Sequence, residues 1–176
     1  SIWNFDEGDG DTSYDLSGNN NHGNFYGDPT WVDGFSGGAL EFDGSGDFVS
    51  VDDSSSLDIT EDLTISSWIY LDDTENSQMY IVDKYLDADG LQSGYFFRIV
   101  HGGDGVYRVN FHYGWSSGHG DAITDSIIEV NNWYYVVATL ADVELVCLAI
   151  SSDKLTIFET LIPDAGSNSF NVTTGP

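Results

Sequence analysis

Basic residues are scarce in this chain of 176 residues. Four Lys and Arg stand against 30 Asp and Glu, which gives a formal net charge of −26 at pH 7. A surface with this charge repels nucleic-acid phosphates and anionic lipid headgroups. No stretch approaches the ~20 apolar residues that a membrane-spanning helix needs. The sequence therefore predicts neither nucleic acid as a partner nor direct insertion into a membrane.

Cysteine and proline are also rare. Cys147 is the single cysteine, so no disulfide can form within the chain. It lies in the apolar segment 143–150, where a small buried hydrophobic side chain is the expected role. Three Pro and 20 Gly, with 23 Asp against 7 Glu, indicate β structure with many turns, because Asp favours turns and Glu favours helices.

No segment shows helical periodicity over three turns, and short apolar runs recur between clusters of Gly, Asp, Ser and Asn. The alternation is clearest in two runs, where Leu63 and Ile65 share one face, as do Tyr95, Phe97 and Ile99. We predict an all-β fold, an antiparallel sandwich or barrel in one domain over residues 1–176. The predicted strands cover residues 2–5, 23–26, 39–42, 48–51, 63–71, 79–84, 95–100, 106–112, 123–130, 133–140, 143–151 and 154–161.

One predicted loop, residues 112–121, gathers aromatic rings and hydrogen-bonding side chains. Sugars present apolar faces to aromatic rings and hydroxyls to polar groups. Tyr113, Trp115, His119 and Asp121 have this chemistry and are the predicted ligand-binding residues. The same residues would equally serve to pack the loop onto a sheet or to contact another protein, so both interpretations stay open.

Six segments, taken in order, resemble the laminin G-like domains of the concanavalin A-like lectin/glucanase superfamily. They are WNFDEG at 3–8, DLSGNNNHG at 15–23, GALEFDG at 38–44, DFVSV at 47–51, LTISSWI at 63–69 and WYYVVAT at 133–139. The resemblance implies a concanavalin A-like jelly roll. It fades after residue 139, and the closing strand that such domains usually carry is not visible before Pro176. We expect different local pairing at that edge, or a strand supplied by a neighbouring chain.

Acidic and amide side chains near the start of the chain predict a calcium site. Ca²⁺ takes six to eight oxygen ligands from carboxylates, amides and carbonyls. The resemblance points the same way, because many such domains hold a structural Ca²⁺ at the rim of the sandwich. The predicted ligands come from two segments that would converge if those segments pair: Asp6, Glu7, Asp15, Asn19 and Asn21. The alternative is that these are solvated turn residues.

Catalysis is not predicted. A glycosidase needs two carboxylates flanking the scissile bond, and no core strand carries a closely spaced Glu/Asp pair of that kind. No nucleophile-elbow motif is present. The four histidines lack the spacing of a zinc site, although His112 and His119 flank one loop with Asp121 nearby.

These observations predict a non-catalytic recognition or adhesion module, extracellular or at the cell surface. It would bind a glycan or a surface protein, with calcium as a structural cofactor. The alternative is a structural subunit of an extracellular assembly, such as a filament, sheath or virion, in which copies of the domain associate. The acidic surface favours a halophilic or a calcium-rich extracellular setting. Asn171, followed by Val172 and Thr173, fits an N-glycosylation acceptor.

Overall fold

The computed structural model describes residues 1–72, 78–88, 91–115, 118–125, 127–141, 144–151 and 158–162. Over these ranges the secondary structure is β throughout, with no helix, so none is long and apolar enough to cross a membrane. The chain divides into two compact units, Ser1–Asp58 and Ile59–Pro176, and each is described by itself. The expectation of one domain stays a prediction.

The first unit contains a three-stranded antiparallel sheet and a separate hairpin. The sheet has the order β1–β2–β5, formed by β1 (Thr12–Ser13), β2 (Gly23–Tyr26) and β5 (Phe48–Val51). The hairpin pairs β3 (Thr30–Asp33) with β4 (Gly38–Glu41). The sequence predicted β2 and β5 with their observed bounds and β4 one residue late, and it did not predict β1 or β3.

The predicted strand over residues 2–5 is wrong. Phe5 has a φ of 56°, which turns the chain out of an extended path. The backbone of Ile2 is satisfied locally, since its N–H donates to Asp15 Oδ1 at 2.9 Å and its carbonyl accepts from Leu16 N at 2.8 Å. A side-chain acceptor thus takes the place of a sheet partner.

The second unit is an antiparallel sandwich of two four-stranded sheets, ordered β10–β9–β8–β7 and β13–β12–β11–β6. The all-β sandwich predicted from the sequence is confirmed. The strands are β6 (Leu63–Tyr70), β7 (Gln78–Ala88), β8 (Leu91–His101), β9 (Tyr107–Trp115), β10 (Gly118–Ile123), β11 (Trp133–Ala141), β12 (Glu144–Ser151) and β13 (Phe158–Ile162).

The core of this unit lies between the two sheets. Phe97 and Phe111 are fully buried from one sheet, and Val136 and Ala138 from the other. Alternate residues of β8, β9 and β11 face inward, as the sequence predicted for Tyr95, Phe97 and Ile99 on β8. Each fully buried Val or Phe side chain stabilises the fold by about 1.5–3 kcal/mol.

The predicted strand over residues 123–130 is also wrong. Strand β10 ends at Ile123. Beyond it, among the residues described there, a single isolated bridge joins Ile128 to Tyr107. Ile128 is fully buried in the core. Its apolar side chain is therefore explained by burial within a loop that connects two strands, and not by a longer strand.

The predicted loop over residues 112–121 is a β-hairpin. It contains the end of β9 and most of β10, with Asp121 opposite His112 and His119 opposite Gly114. The core-facing residues of β10 are small (Gly118, Gly120 and Ala122), so β10 lacks the alternating apolar residues that identify a strand in a sequence.

Some predictions lie outside the described residues. The predicted strand over 154–161 overlaps β13, but 154–157 lie outside them. The glycosylation acceptor Asn171 lies outside them as well, as does the segment after Ile162 in which the usual closing strand was not visible in the sequence.

Candidate functional site

The outer face of the β7–β10 sheet, turned away from the core, carries polar and aromatic side chains. Strand register places Arg98 opposite Asn110, and His112 between Phe96 and Asp121. These residues alternate with the core-facing ones on the same strands. We call the set the outer-face cluster; its members are Gln78, Tyr80, Tyr85, Phe96, Arg98, Asn110, His112, His119 and Asp121.

A chain of hydrogen bonds runs across three strands of this face. Arg98 Nε donates to Asn110 Oδ1 at 2.9 Å. Asn110 Nδ2 lies 3.3 Å from both Asp121 Oδ1 and the Ala122 carbonyl oxygen. Asn110 is 1% exposed, and a buried amide is stable only when its polar atoms are paired. The pairing therefore fixes the arrangement of β8, β9 and β10 side chains on this face.

His112 extends this series of hydrogen bonds. Its Nδ1 lies 3.1 Å from Asp121 Oδ1, and its side chain is 8% exposed. The hydrogen bond from His112 lowers the pKa of Asp121, although partial burial opposes this and Asn110 adds to it. An ionised carboxylate only accepts, so Nδ1 carries the hydrogen. The other ring nitrogen, Nε2, is buried and has no hydrogen-bond partner.

Aromatic rings surround this histidine. Phe96 stacks on His112 with centroids 4.6 Å apart and planes 6° from parallel, and His119 stacks on it at 5.4 Å. Tyr85 meets both Phe96 and His112 edge-on, at 5.5 and 4.8 Å. Tyr80 meets Phe96 edge-on and is 49% exposed, so its ring is available to a ligand.

The predicted ligand residues are divided between the two faces of the sheet. Tyr113 is buried in the core, where its hydroxyl donates to the Ile59 carbonyl at 3.2 Å and burial raises its pKa. Trp115 packs against the core on the same side. His119 is exposed and Asp121 partly buried on the outer face. The predicted set of ligand residues omitted His112; alternation along β9 places it on the same face as Asn110, but only the register of β9 with β10 brings it beside Asp121.

Among the predicted calcium ligands, Asp15 is fully engaged within the protein. Its Oδ1 accepts from the backbone N–H of Ile2 and of Ser17, each at 2.9 Å. Its Oδ2 accepts from Ser17 Oγ at 2.9 Å and Asn21 N at 3.1 Å. Burial raises the pKa of Asp15, but these hydrogen bonds outweigh burial and hold the pKa well below its usual value. All four lone-pair positions are used, so Asp15 organises the loop.

The other four predicted ligands have different surroundings. Asp6 Oδ1 accepts from Gly38 N, and Glu7 Oε1 accepts from Tyr14 N at 2.7 Å, while Glu7 Oε2 is buried without a hydrogen-bond partner. Asn19 is exposed and donates to a serine hydroxyl. The Asn21 amide donates to the hydroxyls of two serines at 2.7 and 2.8 Å.

The structure groups a different set of acids. Across the described ranges, the one set of three metal-ligating side chains with ligand atoms within 4.8 Å of one another is Asp28, Asp43 and Asp47. Asp47 accepts hydrogen bonds from the backbone N–H groups of the other two, which lowers its pKa. The set contains none of the five predicted ligands.

Comparison with known proteins identifies the family of this chain. No curated protein and no solved structure matches the chain significantly. A laminin G-type family model described as concanavalin A-like lectin/glucanases superfamily matches residues 43–148, which is more than half of the chain. The matched segment includes the whole outer-face cluster. The chain belongs to the concanavalin A-like lectin/glucanase superfamily, as a laminin G-like domain.

Proposed function

We propose that this protein is a non-catalytic, extracellular module that binds glycans through the outer-face cluster. The observation that supports this most is the hydrogen-bonded chain from Arg98 through Asn110 and Asp121 to His112, bordered by the exposed ring of Tyr80. The family includes lectin-like binding domains and glucanases, and so supports a binding module in the coarser sense.

A sugar could contact both the aromatic ring and the polar side chains of this surface. A pyranose ring has an apolar face that packs on an aromatic ring, and Tyr80 offers its ring on the outer face. The sugar hydroxyls both donate and accept hydrogen bonds, and the exposed His119 and partly exposed Asp121 are available for them. Because the polar side chains are held by one another, little side-chain entropy remains to be lost when a ligand binds.

The electrostatics of the cluster support binding without catalysis. A glycosidase general acid needs a raised pKa so that it keeps its proton near neutral pH. The pKa of Asp121 is lowered by His112. A second described acid on this face, Asp83, is exposed and accepts from the Tyr85 backbone N–H at 3.2 Å.

Calcium binding is part of the same proposal. The support is the excess of carboxylates, with a net charge of −26, and the preference of Ca²⁺ for several oxygen ligands. The carboxylates of Asp28, Asp43 and Asp47 and the unpartnered oxygen of Glu7 are the groups to test, because Asp15 has no lone pair to spare.

A glycan-binding assay with one variant and one matched control tests the proposal. Tyr80→Ala removes the exposed ring of the cluster, and Tyr26→Ala removes a ring of similar exposure (51%) from the first unit. We expect Tyr80→Ala to weaken binding to the best neutral or acidic oligosaccharide of a panel about tenfold. Tyr26→Ala should leave the affinity unchanged. Equal affinities for the two variants, or no binding to any glycan, would contradict the proposal.

Exposed rings on the other sheet support a second candidate, an assembly subunit. Trp68 is 39% and Tyr70 48% exposed on the outer face of β6, where they pack against Tyr135 and Trp133 of β11. Aromatic residues are enriched in the centres of protein interfaces. Sedimentation velocity over a concentration series distinguishes the candidates, since an assembly subunit self-associates and Trp68→Ala should then shift the equilibrium toward the monomer.

A further inference from the structure

We propose that the ligand of the outer-face cluster is an acidic sugar, whose carboxylate or sulfate is received by the guanidinium of Arg98. This inference rests on the proposed glycan-binding function and specifies its ligand class. It is carried by the two Nη2 donors of Arg98, which have no partner among the described residues, and by the absence of an ion pair between Arg98 and any described carboxylate.

Two of the N–H donors of Arg98 are not used within the described part of the protein and are available to a ligand. A guanidinium has five N–H donors. Nε donates to Asn110, and Nη1 donates to Gln78 Oε1 at 2.8 Å and to the Tyr80 hydroxyl at 3.1 Å. These bonds use three donors and leave the two on Nη2. Within the described part of the chain, neither of those two has a partner.

Within the ranges that the structure describes, no carboxylate forms an ion pair with Arg98. The chain has 30 acidic residues and four Lys and Arg, so a basic side chain without an acidic partner is unexpected. Arg108 follows the expected pattern and lies 2.7 Å from Asp104. Arg98 forms no such ion pair with any described residue, and its hydrogen-bond partners are all neutral.

The ring beneath Arg98 keeps the guanidinium in place. Its central carbon lies 4.4 Å from the centroid of Phe96 and 5.6 Å from that of Tyr80. Stacking on aromatic faces and hydrogen bonds at Nε and Nη1 fix the orientation of the planar group. A fixed guanidinium loses little entropy when it binds an anion, and N–H donors to an anionic oxygen form hydrogen bonds about twice as strong as neutral ones.

His112 supplies a second observation on the same face. Its side chain is more than nine-tenths buried, and Nε2 has no partner in a ring that stacks on Phe96. A buried ring nitrogen without a hydrogen-bond partner costs free energy until a partner is supplied. A sugar hydroxyl both donates and accepts and is such a partner. Arg98 and His112 lie on the paired strands β8 and β9, and both pack against Phe96, so they belong to the same surface of the sheet.

The net charge of the protein restricts where such an anion can bind. At an ionic strength of 0.15 M the Debye length is about 8 Å, so repulsion from distant carboxylates is largely screened. A contact with Arg98 is much shorter than this length and is retained. We therefore expect a short contact between a ligand anion and Arg98 to persist at physiological salt in spite of the charge of −26.

Titration calorimetry at 0.15 M salt with four hexasaccharides tests the inference. The probes are oligogalacturonate, its methyl ester, neutral oligogalactose and a sulfated oligogalactose. We expect the full-length chain to bind an acidic probe at least about tenfold more tightly than the uncharged probe of the same sugar. Preference for the carboxylate or for the sulfate then identifies the source of the anion.

Two substitutions assign that preference to Arg98. Arg98→Gln should abolish it, while Arg108→Gln, which removes the same charge elsewhere, should preserve it. Arg98→Lys keeps the positive charge but not the planar set of guanidinium donors, and it should retain part of the preference for the acidic probe. Partial retention in Arg98→Lys would show that the loss in Arg98→Gln does not come from misfolding. Equal affinity for acid and ester overturns the inference and leaves glycan binding intact; absence of binding to all four probes and to a wider glycan panel overturns both.

Discussion

At the scale of single residues, carboxylates in this protein act as acceptors for the backbone. Asp15 binds four donors from three residues, and Glu7 and Asp6 accept from backbone N–H groups elsewhere in the first unit. The sequence showed that this loop is acidic, but not whether its carboxylate oxygens point toward backbone N–H groups or toward a bound metal ion. A carboxylate before a Ser-Gly-Asn turn fits both a metal ligand and a loop acceptor, and only the geometry of the turn decides between them.

We predict that Asp15→Asn destabilises the protein by about 2 kcal/mol or more at pH 7, because the new NH₂ group faces donors. Urea unfolding measures this. The lowered pKa of Asp15 stabilises the folded state above the unfolded pKa of about 3.9, and that stabilisation declines as pH falls below it toward the folded pKa. The difference between wild type and variant should therefore narrow from pH 7 to pH 3.

The exposed residue Asp9 supplies the control, since Asp9→Asn removes the same charge from the same unit. It should change the free energy of unfolding by less than about 0.5 kcal/mol. If Asp9→Asn costs as much as Asp15→Asn, the loss reflects charge and not the hydrogen bonds of the loop.

At the scale of elements, the sequence predicted the strands whose inward positions are large and apolar. Strands β6, β8 and β11 were predicted in this way, because burial of one face requires apolar residues at alternate positions, and this pattern is visible in the sequence. Strand β10 was interpreted as a loop since its core-facing residues are Gly and Ala. The outer-face cluster was missed for the same reason: without β10 beside β9, Asp121 had no assigned partner in His112.

The small residues of β10 lead to a prediction about Gly120. A Cβ atom built there would collide with Leu145 Cδ1 of the opposite sheet. We expect Gly120→Val to overpack the core and to destabilise the protein by about 1–3 kcal/mol in chemical denaturation. Gly103→Val is the control, since a Cβ at Gly103 meets nothing within 4 Å. Equal losses for the two variants would show that the space beside β10 is not limiting.

At the scale of the whole molecule, the fold class and family followed from the sequence, while the ligand surface did not. Apolar alternation and ordered motifs are local properties that survive in the linear chain, and the family match over residues 43–148 agrees with them. The outer-face cluster depends on the register of four strands, which no local pattern encodes. The net charge of −26 is likewise a whole-molecule property, and its effect on stability depends on the solution.

Thermal unfolding in CaCl₂ and in NaCl at equal ionic strength separates screening from binding. Either salt screens the mutual repulsion of the carboxylates, so the melting temperature should rise with ionic strength in both series. A bound Ca²⁺ adds about 2.7 kcal/mol at a hundredfold excess over its dissociation constant, and this increment should be absent in NaCl. Asp28→Asn should remove the increment if the Asp28, Asp43 and Asp47 group holds the ion, and Asp6→Asn should remove it if the loop predicted from the sequence does. Identical curves in the two salts would contradict calcium binding, because repulsion among the carboxylates responds to ionic strength whichever cation supplies it.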